Sequence, residues 1–250
     1  MIQINNISKS YSGRSIVKDV SFTFETGKTN LIIGESGSGK TTLIRCMLGL
    51  DEPDSGEVLF NGRNFYTLDF KQKKEIRKEI GMLFQGGALF DSKTVEENVM
   101  FPLSMLTNMS YSEKLERANF CLRRVNIENA NNLYPAEISG GMKKRVAIAR
   151  AIAVQPKYLF CDEPNSGLDP KTSIVIDNLI KEITEEYNMT TIIITHDMNS
   201  VIEMGDNIMF IYKGVKWWSG LRNDILKTDN PEVNDFVYAA KFMKNLKSKL

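Results

Sequence analysis

The stretch Gly34-Glu35-Ser36-Gly37-Ser38-Gly39-Lys40-Thr41 constrains this chain more than any other. It fits the pattern G-x-x-x-x-G-K-[ST], and its surroundings fit too. The apolar run Leu31-Ile32-Ile33 leads into it, and Thr41–Leu50 reads as a helix. Glycines let the backbone curl so that successive N–H groups point inward at an anion. The helix that follows turns its N-terminus to the same anion. A lysine at position 40 reaches the β and γ phosphates of a nucleotide, and the Thr41 hydroxyl can ligate Mg²⁺. The fold that carries such a loop is an α/β layer structure, with the loop joining a strand to a helix.

Other segments agree with that class. Tyr158-Leu159-Phe160-Cys161 and Ile192-Ile193-Ile194 are continuous apolar runs, as expected of strands buried on both faces of a parallel sheet. Lys171–Tyr187 between them reads as a helix, which completes a strand–helix–strand unit. Near the N-terminus, Ile2 and Ile4, then Val20, Phe22 and Phe24, alternate with polar residues, so residues 1–30 read as short β segments. Glu57–Phe60 with Asn61-Gly62 fits a hairpin. Phe70–Ile80 is lysine-rich and helical in pattern. The middle, about 88–155, is mostly helical, with Thr94–Met100, Ser112–Val125 and Ser139–Val154 as candidates and Ser110 or Ser112 as a cap.

Bulk properties exclude several function classes. The 250 residues suffice for one sizeable core or a main domain with a smaller lobe. The 32 basic residues are balanced by 31 acidic ones, so no net field draws the chain to nucleic acid or anionic lipid. Cys46, Cys121 and Cys161 form no C-x-x-C pair, which argues against zinc and against a disulfide framework and fits a reducing compartment. The start MIQINNISKSYSG lacks an apolar signal core, and no stretch approaches the roughly 18 apolar residues of a membrane span. A role at a membrane would therefore depend on other subunits.

Three more places carry chemistry. The strand Tyr158–Cys161 ends in Asp162-Glu163. Asp162 is placed to bind Mg²⁺ directly or through water, and Glu163 to polarise an attacking water. His196, the one histidine of the chain, follows the Ile192–Ile194 strand. Its end would face the crevice where open α/β sheets bind ligands. Ser139-Gly140-Gly141-Met142 looks like a capped helix start with two glycines that let a partner approach, and so a second anion site.

Taken in order, these motifs resemble those of the nucleotide-binding subunit of an ABC transporter, over about residues 1–220. The resemblance implies an α/β P-loop fold of ABC type, with a mixed or parallel sheet core, an N-terminal antiparallel β subdomain and an inserted helical subdomain near 88–155. The ATPase domain would span 1–225 and a C-terminal extension 226–250. Tyr11 would stack on adenine, and Gly34, Glu35, Ser36, Gly37, Ser38, Gly39, Lys40, Thr41 and Thr42 would hold the phosphates of ATP. Gln85 resembles the glutamine that touches Mg²⁺ and the attacking water. Thr41, Gln85 and Asp162 would therefore serve Mg²⁺, and Glu163, Gln85 and His196 catalysis. Ser139, Gly140, Gly141 and Asp169 would contact nucleotide from a second copy of the chain in a head-to-tail sandwich. Gly86–Phe90 resembles the surface that receives the coupling helix of a membrane permease subunit, on the cytoplasmic face of the inner membrane, with no nucleic acid involved.

A finer resemblance is to the ATPases of mammalian-cell-entry-type systems that move phospholipid. It rests on Phe84-Gln85-Gly86-Gly87-Ala88-Leu89-Phe90-Asp91, on Thr94–Val99 with Phe101-Pro102-Leu103, on Met142 where the signature motif usually has glutamine, and on the tail Asn230–Phe236. The alternatives are an importer ATPase for amino acids or another small solute, and a soluble ABC ATPase that acts on DNA or ribosomes. The interleaved cluster Lys71, Lys73, Lys74, Arg77 and Lys78 reads as a solvated helix face. Trp217-Trp218 reads as packing in a hairpin near Lys213-Gly214. Lys241, Lys244, Lys247 and Lys249, with Phe242, Met243 and Leu246, read as a solvated or subunit-packing helix.

Overall fold

The computed structural model describes residues 1–238, so the basic tail from Lys241 to Lys249 lies outside the described residues. Chain contacts separate two units, Met1–Asp69 with Ile194 onward, and Phe70–Ile193.

The first unit opens with β1 (Ile2–Tyr11) and β2 (Arg14–Phe24), then β3 (Lys28–Ile33), α1 (Lys40–Met47), β4 (Ser55–Phe60) and β5 (Arg63–Asn64). An antiparallel sheet runs β2-β1-β4-β5. Ile2 and Ile4 point into its core opposite Phe24, Phe22, Phe60 and Val58. The next buried residue, Ile7, is an odd step away and breaks the period of two. A register shift between Ile4 and Ile7, with Asn6 at φ 53°, turns Ile7 back inward. Asn61 and Gly62 take φ 48° and 79° and close the β4–β5 hairpin, as the Asn-Gly pair predicts.

The second unit holds α2 (Phe70–Lys78), β6 (Ile80–Leu83), α3 (Val95–Leu106), α4 (Tyr111–Arg124), α5 (Gly140–Ile152), β7 (Tyr158–Asp162), α6 (Pro170–Glu186) and β8 (Thr190–Thr195), whose end returns the chain to the first unit. Strands lie in the order β8-β7-β6, with β6 parallel to β7. The continuous apolar residues of β7 and β8 are buried, as their sequence requires. Thr94 and Ser110 build capping boxes for α3 and α4 through Glu97 and Glu113, so Ser110 rather than Ser112 is the cap. Helix α3 runs past the expected Met100 to Leu106 with Pro102 inside it. Proline removes one N–H there, and the flanking capping box and buried Val99 and Leu103 outweigh that loss. Arg117 of α4 donates to the carbonyls of Ile152 and Ala153 at 3.1 and 2.9 Å, which satisfies the C-terminus of α5. In α2 only Ile76 is buried, and Lys78 pairs with Glu75 at 2.9 Å, the solvated face its charges predict.

The chain then completes the first unit with α7 (Met198–Met204), β9 (Asn207–Tyr212), β10 (Val215–Leu221), α8 (Arg222–Ile225) and α9 (Pro231–Val237). There β10-β9-β3 lie side by side, β3 parallel to β9 and β10 antiparallel to it. The indole N–H of Trp217 donates to Glu232 at 3.0 Å, and Phe236 packs on Phe210 at 5.3 Å between ring centres. The tryptophan therefore fixes α9 to the β9–β10 hairpin.

Candidate functional site

In the first unit the phosphate loop is shaped by glycines that admit no side chain. Gly34 has φ 145°, and a Cβ on it would stand 2.3 Å from the Ile211 carbonyl oxygen of β9. Gly39 has φ 107°, with Ile16 O of β2 at 2.8 Å from any Cβ. Both lie in the left-handed range that only glycine visits at little cost. Gly39 is also the N-cap of α1, where no side chain caps the helix and no acidic residue stands in the first turn. Such a helix start suits a bound anion. The Lys40 ammonium is buried and donates to the carbonyls of Gly34 and Glu35, each at 2.8 Å, so it stands within the curl of the loop.

The Ser38 hydroxyl is buried in the same loop with no hydrogen-bond partner among the described residues. A phosphate oxygen would satisfy it. An open cleft of about 490 Å³ lies over the loop, lined by Glu35, Ser36, Gly37 and Ser38 with Arg14 and Lys213 beside them. Thr41 is exposed and Thr42 half-buried on α1.

Tyr11, at the end of β1, keeps an exposed ring while its hydroxyl donates to Asp51. Arg45 of α1 donates to both oxygens of Asp51, at 2.7 and 3.1 Å. These bonds, Arg45 first and Tyr11 second, hold the Asp51 carboxyl down at about 2. Tyr11 is thus tied to the helix that follows the phosphate loop. His196 is exposed just beyond β8.

In the second unit β7 delivers Asp162 half-buried at its end, and Glu163 follows in left-handed backbone at φ 46°. The Gln85 amide donates to Glu163 Oε2 at 3.1 Å. The structure thus joins two residues that are 78 positions apart in the chain. Lys144 of α5 donates to the Glu163 carbonyl and to Ser166 Oγ at 3.5 and 3.4 Å. Burial lowers the pKa of its ammonium.

Ser139 caps α5 by accepting from Met142 N at 3.2 Å. Gly140 is exposed and Gly141 half-buried beside it. A Cβ at Gly141 would meet Thr172 at 2.8 Å and one at Gly140 would meet Leu168 at 3.9 Å, so the first turn of α6 and the turn before it pack on this helix start. Asp169 caps α6, accepting from Lys171 N and Thr172 N at 3.0 and 3.1 Å, and the Thr172 hydroxyl first among these holds its carboxyl low. Asn165 donates to the buried Asp177 at 2.6 Å and fixes the same turn to α6.

Sequence reasoning passed over several supporting residues. Arg150, Asp51 and Arg45 carry no motif, and Asn98 counts in the sequence only as part of the Thr94–Val99 stretch. Arg150 alone left a signal, an arginine inside the apolar run Val146–Ile152. The second unit also carries an apolar cleft of about 200 Å³ lined by Met82, Phe84, Phe90, Phe101, Pro102 and Arg150.

Among the described residues no three His, Cys, Asp or Glu side chains gather into a metal cage. Mg²⁺ keeps waters and takes one or two protein ligands beside the phosphates of its nucleotide, so that ion needs no such cage.

Comparison with known proteins gives the same assignment. The family model described as ABC transporter matches residues 17–166. A methionine import ATP-binding protein of Bacillus cereus is 42% identical over 218 residues, 86% of this chain. This chain spans 64% of that relative's length. One from Oceanobacillus iheyensis is 41% identical over 243 residues, covering 95% of this chain and 72% of the relative. Among solved structures, the ATP-binding cassette MJ0796, a dimer bound to ADP and Pi, has a TM-score of 0.80 at 34% identity, over 89% of this chain and 99% of its own. With these matches added to the phosphate loop, the chain belongs to the ABC transporter family, as one of its ATP-binding domains.

Proposed function

We propose that this chain is the ATP-hydrolysing subunit of an ABC transporter and that its cargo is a small solute of the amino-acid class. The observation that supports hydrolysis is the Gln85–Glu163 hydrogen bond, a polar pair suited to orienting water for in-line attack on a γ phosphate. Lys40, the N-terminus of α1 and Ser38 would hold the phosphates, Thr41, Gln85 and Asp162 the Mg²⁺, and Tyr11 the adenine. Ser139, Gly140, Gly141 and Asp169 would act on the nucleotide of a second copy. His196 would contact the γ phosphate. The apolar cleft beside Phe90 would seat a helix of a permease subunit. No helix of the described residues is long and apolar enough to cross a membrane, so attachment to one would go through that permease.

The cargo reading rests on the relatives, which are named for methionine import. They favour the importer over the phospholipid reading expected from the finer resemblance. The phospholipid reading keeps one specific support, the segment Phe84–Asp91 together with Met142. The test is to pull the chain with its partners from detergent-solubilised membranes and reconstitute the complex in vesicles. ATP-driven uptake of radiolabelled methionine or another amino acid supports the importer. Co-purifying phospholipid with ATP-driven transfer of labelled phospholipid, and no solute uptake, would overturn it. Absence of Mg-ATP hydrolysis in the complex would sink both.

A further inference from the structure

The turn after Gln85 is strained, and a buried charge holds it. Gly86, Gly87 and Ala88 are all left-handed, with φ 76°, 83° and 46°. Two glycines accept this readily, while alanine there costs about 1 kcal/mol. The turn presents two consecutive carbonyls to α5. Arg150 Nη2 donates to Gly87 O at 2.7 Å, and Nη1 to Ala88 O at 2.8 Å. Arg150 is buried, and its guanidinium stands 5.9 Å from the centre of the Phe90 ring. Its neighbours along the helix, Val146, Ala147, Ile148, Ala149, Ala151 and Ile152, are also buried.

A buried guanidinium is costly unless its donors are used. Here they are used on backbone that leads to Gln85. At the far end of the segment, the buried Asn98 accepts from Phe90 N at 2.8 Å and donates to Phe90 O at 3.1 Å. The segment is therefore fixed in its middle by Arg150 and at its end by Asn98, while Gln85 is exposed.

We propose that Arg150 is a positioning residue for hydrolysis, which grips the Gly87 and Ala88 carbonyls and so keeps the Gln85 amide against Glu163. It touches neither nucleotide nor water and acts through Gln85. The inference rests on the ATPase reading above.

The experiment measures steady-state Mg-ATP hydrolysis by the purified full chain, first for the parent and Glu163→Gln. Equal rates for those two would remove the ATPase reading itself, and this inference with it. If they differ, Arg150→Lys and Arg150→Met are measured alone and in a Gln85→Ala background, with a melting temperature for each. The expected result is a kcat loss of about tenfold for methionine, smaller for lysine, with KM for ATP within about twofold of the parent. In the Gln85→Ala background neither substitution lowers kcat further. Folded variants with full kcat would overturn the proposal. So would losses that multiply with Gln85→Ala, which would show independent action. Loss of the fold in both variants would assign Arg150 to stability alone and overturn it too.

Discussion

Gln85 and Glu163 meet at 3.1 Å through the glutamine amide and one carboxylate oxygen. In the proposed reaction the Glu163 carboxylate would take up the proton of the attacking water. A group that orients water and takes up its proton contributes about 10²–10⁴-fold. Glu163→Gln is therefore expected to lower kcat by at least about a hundredfold while ATP still binds. Hydrolysis assays and size-exclusion chromatography in Mg-ATP check this, the variant running as an ATP-dependent dimer. Turnover near the parental rate would remove Glu163 from the reaction.

Ser139 has two separable roles, one seen and one proposed. It caps α5 by accepting from Met142 N at 3.2 Å, and it is exposed for a second copy's nucleotide. Ser139→Ala loses the cap, at about 1 kcal/mol, or about 2–4 °C in melting temperature for a chain of this size. Ser139→Asp keeps a capping oxygen but sets a carboxylate against phosphate. Thermal melts should place the aspartate variant near the parent and the alanine variant below it. Both should fail to dimerise in Mg-ATP with Glu163→Gln present. An aspartate variant that dimerises normally would show that Ser139 only caps its helix.

The phosphate loop, the strand ends and the hairpins were legible because each is a local code. Gly34–Thr41 must curl, Asn61-Gly62 must turn, and Tyr158–Cys161 must be buried. What stayed hidden is long-range. Arg150 reaches Gly87 and Ala88 from 63 and 62 residues away, and Arg117 caps α5 from 36. Such pairs depend on which helix faces which loop, and no local pattern encodes that. The length of α3 was misjudged for the related reason that Pro102 is a local stop signal overruled by packing around Leu103. The cargo expectation leaned on sequence likeness around Gln85, and that segment is the one proposed to receive a permease helix, a surface that need not touch what crosses the membrane.

The three thiols should be inert in the folded chain. Cys46, Cys121 and Cys161 are all buried, and burial pushes Cys46 and Cys121 up to about 11 and Cys161 higher still. Iodoacetamide at pH 8 should label none of them within the time that labels all three in denaturant, read by mass spectrometry. Labelling of Cys161 in the native chain would contradict its place inside β7.

The Tyr11 anchor should show itself in acid. Asp51 is held at about 2 by Arg45 and Tyr11, against an ordinary 3.8. Between those values the unfolded chain binds a proton that the folded chain refuses, so stability falls as pH falls. The contribution is complete above about pH 4 and is lost as pH drops toward 2. This is an exposed, two-pronged ion pair that solvent screens, so its worth is small, no more than a few degrees in melting temperature. Asp51→Asn keeps the shape and an oxygen for the Tyr11 hydroxyl but abolishes the charge. Melting curves at pH 6 should place it a few degrees below the parent, and the gap should narrow steadily as pH falls from 4 toward 2. A gap that stays constant or widens in acid would mean that the Arg45–Asp51 charge pair does not fix the tyrosine, and that the neutral hydrogen bond alone holds the ring in place.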